Sequence, residues 1–176
     1  MTGAAKPSMS MQAPSTLITG SLWNTQFGAY AAWYLGAPMI VWRQATVQSI
    51  PNGAWTPLAF DTIDLDTHGV HAAATPSRFT APYAGKYAVA AQCDFAANAT
   101  GARELKFGIN GASSTASNKA TVMAVSGYDT ALANATELIL AAGDYVEVWA
   151  WQNSGGALST GQTDGLPRFT ARWVHN

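Results

Sequence analysis

Apolar and polar residues alternate in three stretches of this chain. In residues 85–95, Tyr87, Val89, Ala91, Cys93 and Phe95 fall on one face and Ala88, Ala90, Gln92 and Asp94 on the other, the period-two signature of a half-buried strand. In residues 103–109, Leu105, Phe107 and Ile109 share one side and Glu104 and Lys106 the other; the run ends at Asn110-Gly111, a favoured tight-turn pair. Residues 145–152 set Tyr145, Glu147, Trp149 and Trp151 against Val146, Val148 and Ala150. Further strands are predicted at 39–48, at 55–60 after the turn Pro51-Asn52-Gly53, and at 121–126, 136–140 and 168–174. Residues 61–76 read as a loop. Turn clusters recur at a spacing of roughly ten residues, which suits an all-β sandwich or barrel, and no internal repeat is visible.

The first 38 residues follow other rules. Residues 1–20, with Pro7 and Pro14, have no periodicity and read as an extended arm. From residue 21 to 35, Trp23, Phe27, Tyr30 and Tyr34 recur at spacings of four, three and four, one aromatic stripe on a helix. Ser21 is the expected N-cap, Gly36 the stop, and Pro38 blocks continuation. So short a helix is not stable alone in water. Its stripe must dock, either onto its own domain or onto copies of itself, and the pattern leaves both open.

Composition then narrows the partners. A chain of 176 residues forms one domain plus an arm, here divided as 1–38, arm and docking helix, and 39–176, the β domain. Hydrophobic residues make up 48% and charged ones 11%, against a usual charged share of about 25%. The surface must therefore be built from Ala, Gly, Ser, Thr, Asn and Gln, and it is suited to being covered by neighbours. A net charge of -1, a pI near 6.2 and no Lys/Arg run argue against nucleic acid. The single cysteine, Cys93, allows no disulfide within the chain and no cysteine metal site. Neither a signal-peptide core nor a membrane span is legible, so the expectation is a soluble protein made in the cytoplasm. Asn98-Ala99-Thr100 and Asn134-Ala135-Thr136 match the glycosylation pattern by chance.

Candidate chemistry is sparse. Residues 61–71 concentrate Asp61, Asp64, Asp66, His68 and His71, a set that could suggest a divalent ion. The order is not that of a calcium loop, nor are the histidines spaced as a helical zinc pair, so the acids are expected to cap backbone N–H groups in a surface turn. Cys93 sits on the apolar face of a strand, where a thiol acts as a small hydrophobe. No Gly-x-Ser-x-Gly elbow exists, and Glu137 with Glu147 could form a glycosidase pair only if the fold set their separation. Trp149, Trp151 and Trp173 could stack on a sugar. No catalytic residue, cofactor or metal ligand is assigned, and the chain reads as non-enzymatic.

Several segments resemble the C1q/TNF-like jelly roll from about residue 48 onward. Phe79, Pro82 and Gly85-Lys86-Tyr87 are similar to that family's segment entering a central strand, Leu140-Ala141-Ala142-Gly143-Asp144-Tyr145-Val146 to its L-x-x-G-D-x-V segment, and Phe169 to Val174 to its closing strand. A closer resemblance is to small virion proteins of tailed phages, especially of actinobacteria, of the minor tail protein type. It rests on Trp23-Asn24 leading to Gly36-Ala37-Pro38, on Gln48-Ser49-Ile50-Pro51-Asn52, Trp55-Thr56 and Phe60-Asp61-Thr62, and on Asp66-Thr67-His68-Gly69, Asn98-Ala99-Thr100-Gly101-Ala102-Arg103 and Gly143-Asp144-Tyr145-Val146-Glu147. The resemblance implies a jelly-roll β-sandwich in a homotrimer, residues 1–38 joining other virion proteins. Trp23, Phe27, Tyr30 and Tyr34 are the expected anchor, and Tyr145, Trp149 and Trp151 the expected trimer contact. The alternatives are a capsid decoration protein of the same fold and a tail-tip protein that binds a receptor or a host cell-wall glycan.

Overall fold

Strand formation follows the alternation. The computed structural model describes residues 6–8, 17–112, 118–161 and 166–175, so the predicted arm lies mostly outside the described residues. A helical segment comes first: α1 (Gly20–Trp23), a π-helical turn (Asn24–Gly28) and α2 (Ala29–Leu35). The strands follow as β1 (Met39–Arg43), β2 (Ser49–Ile50), β3 (Thr56–Pro57), β4 (Thr62–Asp66), β5 (Arg78–Thr80) and β6 (Gly85–Phe95). After them come β7 (Ala102–Ile109), β8 (Lys119–Met123), β9 (Thr130–Leu140), β10 (Tyr145–Gln152), β11 (Leu158–Ser159) and β12 (Arg168–His175).

Two antiparallel sheets face each other. The first has the order β4-β1-β12-β6-β9; the second runs β3-β10-β7-β8, with β5 also paired to β10. A small β2-β11 ladder closes one end. The predicted sandwich is thus the observed one. Its interior holds the apolar half of each alternation: Ile40 and Trp42 from β1, Tyr87 to Phe95 at every second position of β6, Leu105 and Phe107 from β7, Val146, Val148 and Ala150 from β10, and Phe169 and Ala171 from β12. Phe169 is the centre of the aromatic cluster, with ring centroids 5.6 Å from Phe60, 6.1 Å from Trp42, 6.2 Å from Phe107 and 6.4 Å from Phe79. Asn110 (φ 53°) and Gly111 (φ 76°) form the predicted tight turn after β7 with both residues left-handed, the type I′ geometry that matches strand twist.

Several predicted boundaries move. The 39–48 run leaves the sheet after Arg43: Gln44 keeps the inward direction of Ile40 and Trp42 and bonds through its N–H to Pro167 O (2.9 Å), and its side chain fastens the following loop, the amide N–H₂ donating to Ala59 O (2.9 Å) and Gln48 Oε1 (3.0 Å) and Oε1 accepting the Thr160 hydroxyl. Of residues 55–60 only Thr56 and Pro57 pair; Leu58 and Phe60 fill the core. The predicted loop 61–76 is in part a strand, since β4 forms the sheet edge beside β1, with Val41 opposite Leu65 and Trp42 opposite Ile63 across a bulge. Asp64 suits an edge because it faces water and meets Arg43 Nε at 2.9 Å. β9 begins at Thr130, six residues before the predicted start, carried by its full-length ladder with β6.

Candidate functional site

Three surfaces stand out, two of which carry residues singled out by pattern, and the first is the helical segment. Thr19, and not Ser21, is its N-cap: Thr19 Oγ1 accepts from Leu22 N at 3.1 Å, while Ser21 O accepts the Thr25 hydroxyl at 2.9 Å. Gly36 stops the helix as expected, its N–H bonded to Ala32 O at 3.1 Å. The residue that docks on the sandwich is Trp33, 3% exposed, edge-on to Trp173 (4.7 Å) and to Tyr83 (5.9 Å). The stripe itself points elsewhere. Trp23 (53% exposed), Phe27 (49%) and Tyr34 (66%) are open and Tyr30 is half-buried, with Trp23 and Phe27 stacked at 4.1 Å.

The second surface is the outer face of β10. With Val146, Val148 and Ala150 in the core, Tyr145, Trp149 and Trp151 point outward and are half-buried. Their own chain covers them. The Arg78 guanidinium lies 4.3 Å from the Tyr145 ring centroid, and Glu147, almost wholly enclosed, accepts from Ser77 Oγ (2.8 Å) and Arg78 Nε (3.2 Å). Trp149 occupies the space over Gly108, where a Cβ would stand 2.6 Å from the indole nitrogen. Trp151 meets Trp55 at 6.3 Å, and the Lys106 ammonium sits 3.7 Å from the Trp55 centroid. Burial lowers the Lys106 pKa, with Glu104 opposing the shift and Lys119 adding to it. Trp173 does not join this row: it lies in the other sheet, buried beneath Trp33, its Nε1 donating to Ala84 O at 3.3 Å.

The third surface is the outer face of the five-stranded sheet, to which pattern reading assigns no role. Ala88 and Ala90 of β6, Ala131, Ala133 and Ala135 of β9 and Thr170 of β12 face outward. Their small size leaves two neighbouring shallow depressions of about 380 and 570 Å³. Charged side chains flank the small ones along the strands: Arg168 lines the first depression, and Arg172 and Glu137, the latter paired with Lys86 (2.7 Å), line the second. The signal was available in residues 88–91, where apolar side chains fill consecutive positions, as they do in strands covered on both faces.

The remaining candidates are structural. Asp61 accepts from Ala45 N (2.6 Å) and Thr46 N (2.9 Å), and Asp66 from His68 N (3.1 Å) and His71 N (2.9 Å), so these acids do cap backbone donors. Among the described residues no group of three or more His, Cys, Asp or Glu side chains could hold a metal ion. Cys93 is buried, and burial first, then the Asp94 carboxylate, push its thiol pKa far up, the opposite of a nucleophile. Glu137 and Glu147 stand on the outer faces of opposite sheets with the core between them, so they cannot flank one glycosidic bond. No helix among the described residues is long and apolar enough to cross a membrane.

No protein-family model matches the sequence, and neither does any curated protein sequence. Solved structures do match. The globular domain of zebrafish complement 1qA superposes with a TM-score of 0.60 at 14% identity, over 80% of this chain and 99% of that one. Eiger TNF from S. frugiperda gives 0.59 at 13% identity, over 80% and 94%. Murine APRIL gives 0.58 at 13%, over 77% and 98%. The fold is therefore the C1q/TNF-like jelly roll.

Proposed function

We propose that this chain is a non-enzymatic structural component of a tailed-phage virion, a homotrimeric minor tail protein attached through residues 1–38 with its jelly roll pointing outward. The observation that carries the trimer is the alanine-rich outer face of the five-stranded sheet. Alanines lose no side-chain entropy when covered, and the row Thr170, Ala90 and Ala135 that crosses three neighbouring strands carries no charge. A contact of standard size covers about 800 Å² per partner, and at about 25 cal/mol per Å² of apolar area its burial is strongly favourable. This reading moves the trimer contact away from Tyr145, Trp149 and Trp151, whose row Arg78, Lys106 and Trp55 already cover, and makes that row part of the outward surface.

The non-enzymatic part is supported by the inert Cys93 and the separated carboxylates. The virion part is supported by the sequence resemblance, from Trp23-Asn24 through Gly143-Asp144-Tyr145-Val146-Glu147. Sedimentation of the purified chain tests the assembly: a trimer is expected, and a monomer at micromolar concentration refutes it. A particle reconstruction tests the location. Density at the tail is expected, whereas density on the head makes the chain a capsid decoration protein.

A further inference from the structure

The helical segment is the other surface that water should not be left to cover. Residues 17–35 contain no charged side chain, yet Leu17, Ile18, Trp23, Phe27, Tyr34 and Leu35 are all exposed. An exposed apolar surface of this kind marks an interaction site. Three observations say what covers it. The 4-3-4 spacing of Trp23, Phe27, Tyr30 and Tyr34 is that of a coiled-coil seam, and across the π-helical turn Asn24–Gly28 the first two rings stay together, stacked at 4.1 Å. Trp33 docks the segment on the sandwich through Trp173 and Tyr83, which leaves the seam beside the sheets. Finally, a groove of about 270 Å³ lined by Tyr34, Leu35, Met39 and Arg172 runs from the end of the helix to the margin of the alanine face.

We propose that the aromatic stripe packs against the same stripe of the other copies, so that the three helical segments form a short bundle continuous with the sheet contact. This rests on the trimer reading. Only Gly36, Ala37 and Pro38 separate α2 from β1, so the helical segment stays beside the sheet whose outer face carries the alanines. A charge-free stripe offers a different partner no electrostatic register, whereas a copy of itself supplies matching rings. Attachment to the rest of the particle then falls to the chain preceding the helix, and the stripe serves assembly.

Single cysteines test this in the full-length chain, since Cys93 is buried and does not compete. Phe27→Cys and Tyr34→Cys lie on the seam; Ala32→Cys, exposed on the far side of the helix, is the control. Within a bundle the seam thiols meet at an effective concentration in the millimolar range, so mild oxidation should link copies at least about ten-fold faster at residues 27 and 34 than at residue 32. Dilution should leave the two seam rates unchanged. Equal, dilution-dependent rates at all three positions in a protein that sediments as a trimer overturn the bundle and leave the trimer standing. A monomer overturns both.

Discussion

Trp33 of α2 stands edge-on to Trp173 of β12, with centroids 4.7 Å apart and planes at 81°. This contact, backed by Tyr83, docks the helical segment on the sandwich, for Trp33 is the only buried residue of α2. The edge-to-face arrangement aims the positive rim of one indole at the negative face of the other. Trp33→Ala is expected to undock the helix at a cost of about 3 kcal/mol while the jelly roll stays folded. Hydrogen exchange checks this: amides of residues 22–36 should lose protection and those of β6 and β12 should keep theirs. Loss of protection in all three would show that the segment and the sandwich fold as one unit.

Much of this architecture is legible in the alternation. The faces of β6, β7 and β10 follow directly from Tyr87 to Phe95, Leu105 to Ile109 and Val146 to Ala150, because a strand buried on one side leaves a period of two. β4 is hidden because Asp61, Asp64 and Asp66 imitate a loop; an edge strand tolerates acids that a central strand does not. The first half of β9, Thr130 to Ala135, has poor strand formers in Ala and Asn and is held by pairing with β6 across Gln92–Ala133 and Cys93–Leu132. In the helix, spacing reveals an aromatic stripe but not which ring meets the sandwich. Trp33 wins because Tyr83 and Trp173, far along the chain, make its cavity. Likewise the outward direction of Trp149 could be read, but not that Gly108, Trp55 and Lys106 enclose its row.

The two candidate trimer faces make opposite predictions. Ala133→Glu places a carboxylate on the alanine face, where a free monomer tolerates it within about 0.5 kcal/mol but an assembled contact must bury an unpaired charge. The variant should therefore remain folded by circular dichroism and sediment as a monomer. Trp149→Ala should lower stability and leave the trimer intact. If Trp149→Ala dissociates the assembly and Ala133→Glu does not, the contact belongs to β10.

Acid should loosen the loop that joins β1 to β2. Asp61 is partly desolvated, which raises its pKa, but hydrogen bonds from the Thr46 side chain and the Ala45 and Thr46 amides outweigh this and bring it below its ordinary value of 3.8. A carboxyl with a depressed folded pKa stabilises the native state above its unfolded pKa, and the contribution is lost as pH falls through the folded value. The window therefore lies below pH 3.8. Asp144, lowered by the Asn110 side chain and the Ala141 amide, adds to the same limb. Denaturant midpoints measured from pH 5 to 2 should fall less steeply in Asp61→Asn than in the parent chain. Parallel curves would show that the Asp61 bonds do not persist in solution.

Arg103 makes the most demanding prediction. Its side chain is fully enclosed on the core side of β7, stacked toward Phe95 (5.9 Å), and no carboxylate pairs with it among the described residues. Its charge is met by backbone carbonyls: Nη1 donates to Thr100 O (3.0 Å) and Ala102 O (3.2 Å), and Nη2 to Asn98 O (3.1 Å). Burial lowers its pKa without a carboxylate to offset the effect, yet a guanidinium stays protonated where an ammonium would shed its proton. The planar fork thus ties the end of β6, through residues 98–102, to the start of β7. Arg103→Ala removes the donor from Thr100 O and Asn98 O, while Ala102 O keeps the Asn153 N–H (3.3 Å), and it opens a cavity; at about 1–3 kcal/mol for each unmet buried group it should destabilise the chain by at least about 2 kcal/mol. Arg103→Lys should recover little of this, since one ammonium cannot span acceptors on both sides of the fork. Chemical denaturation of the three proteins decides the point, and full stability of Arg103→Lys would mean that charge alone, without the fork, holds the loop.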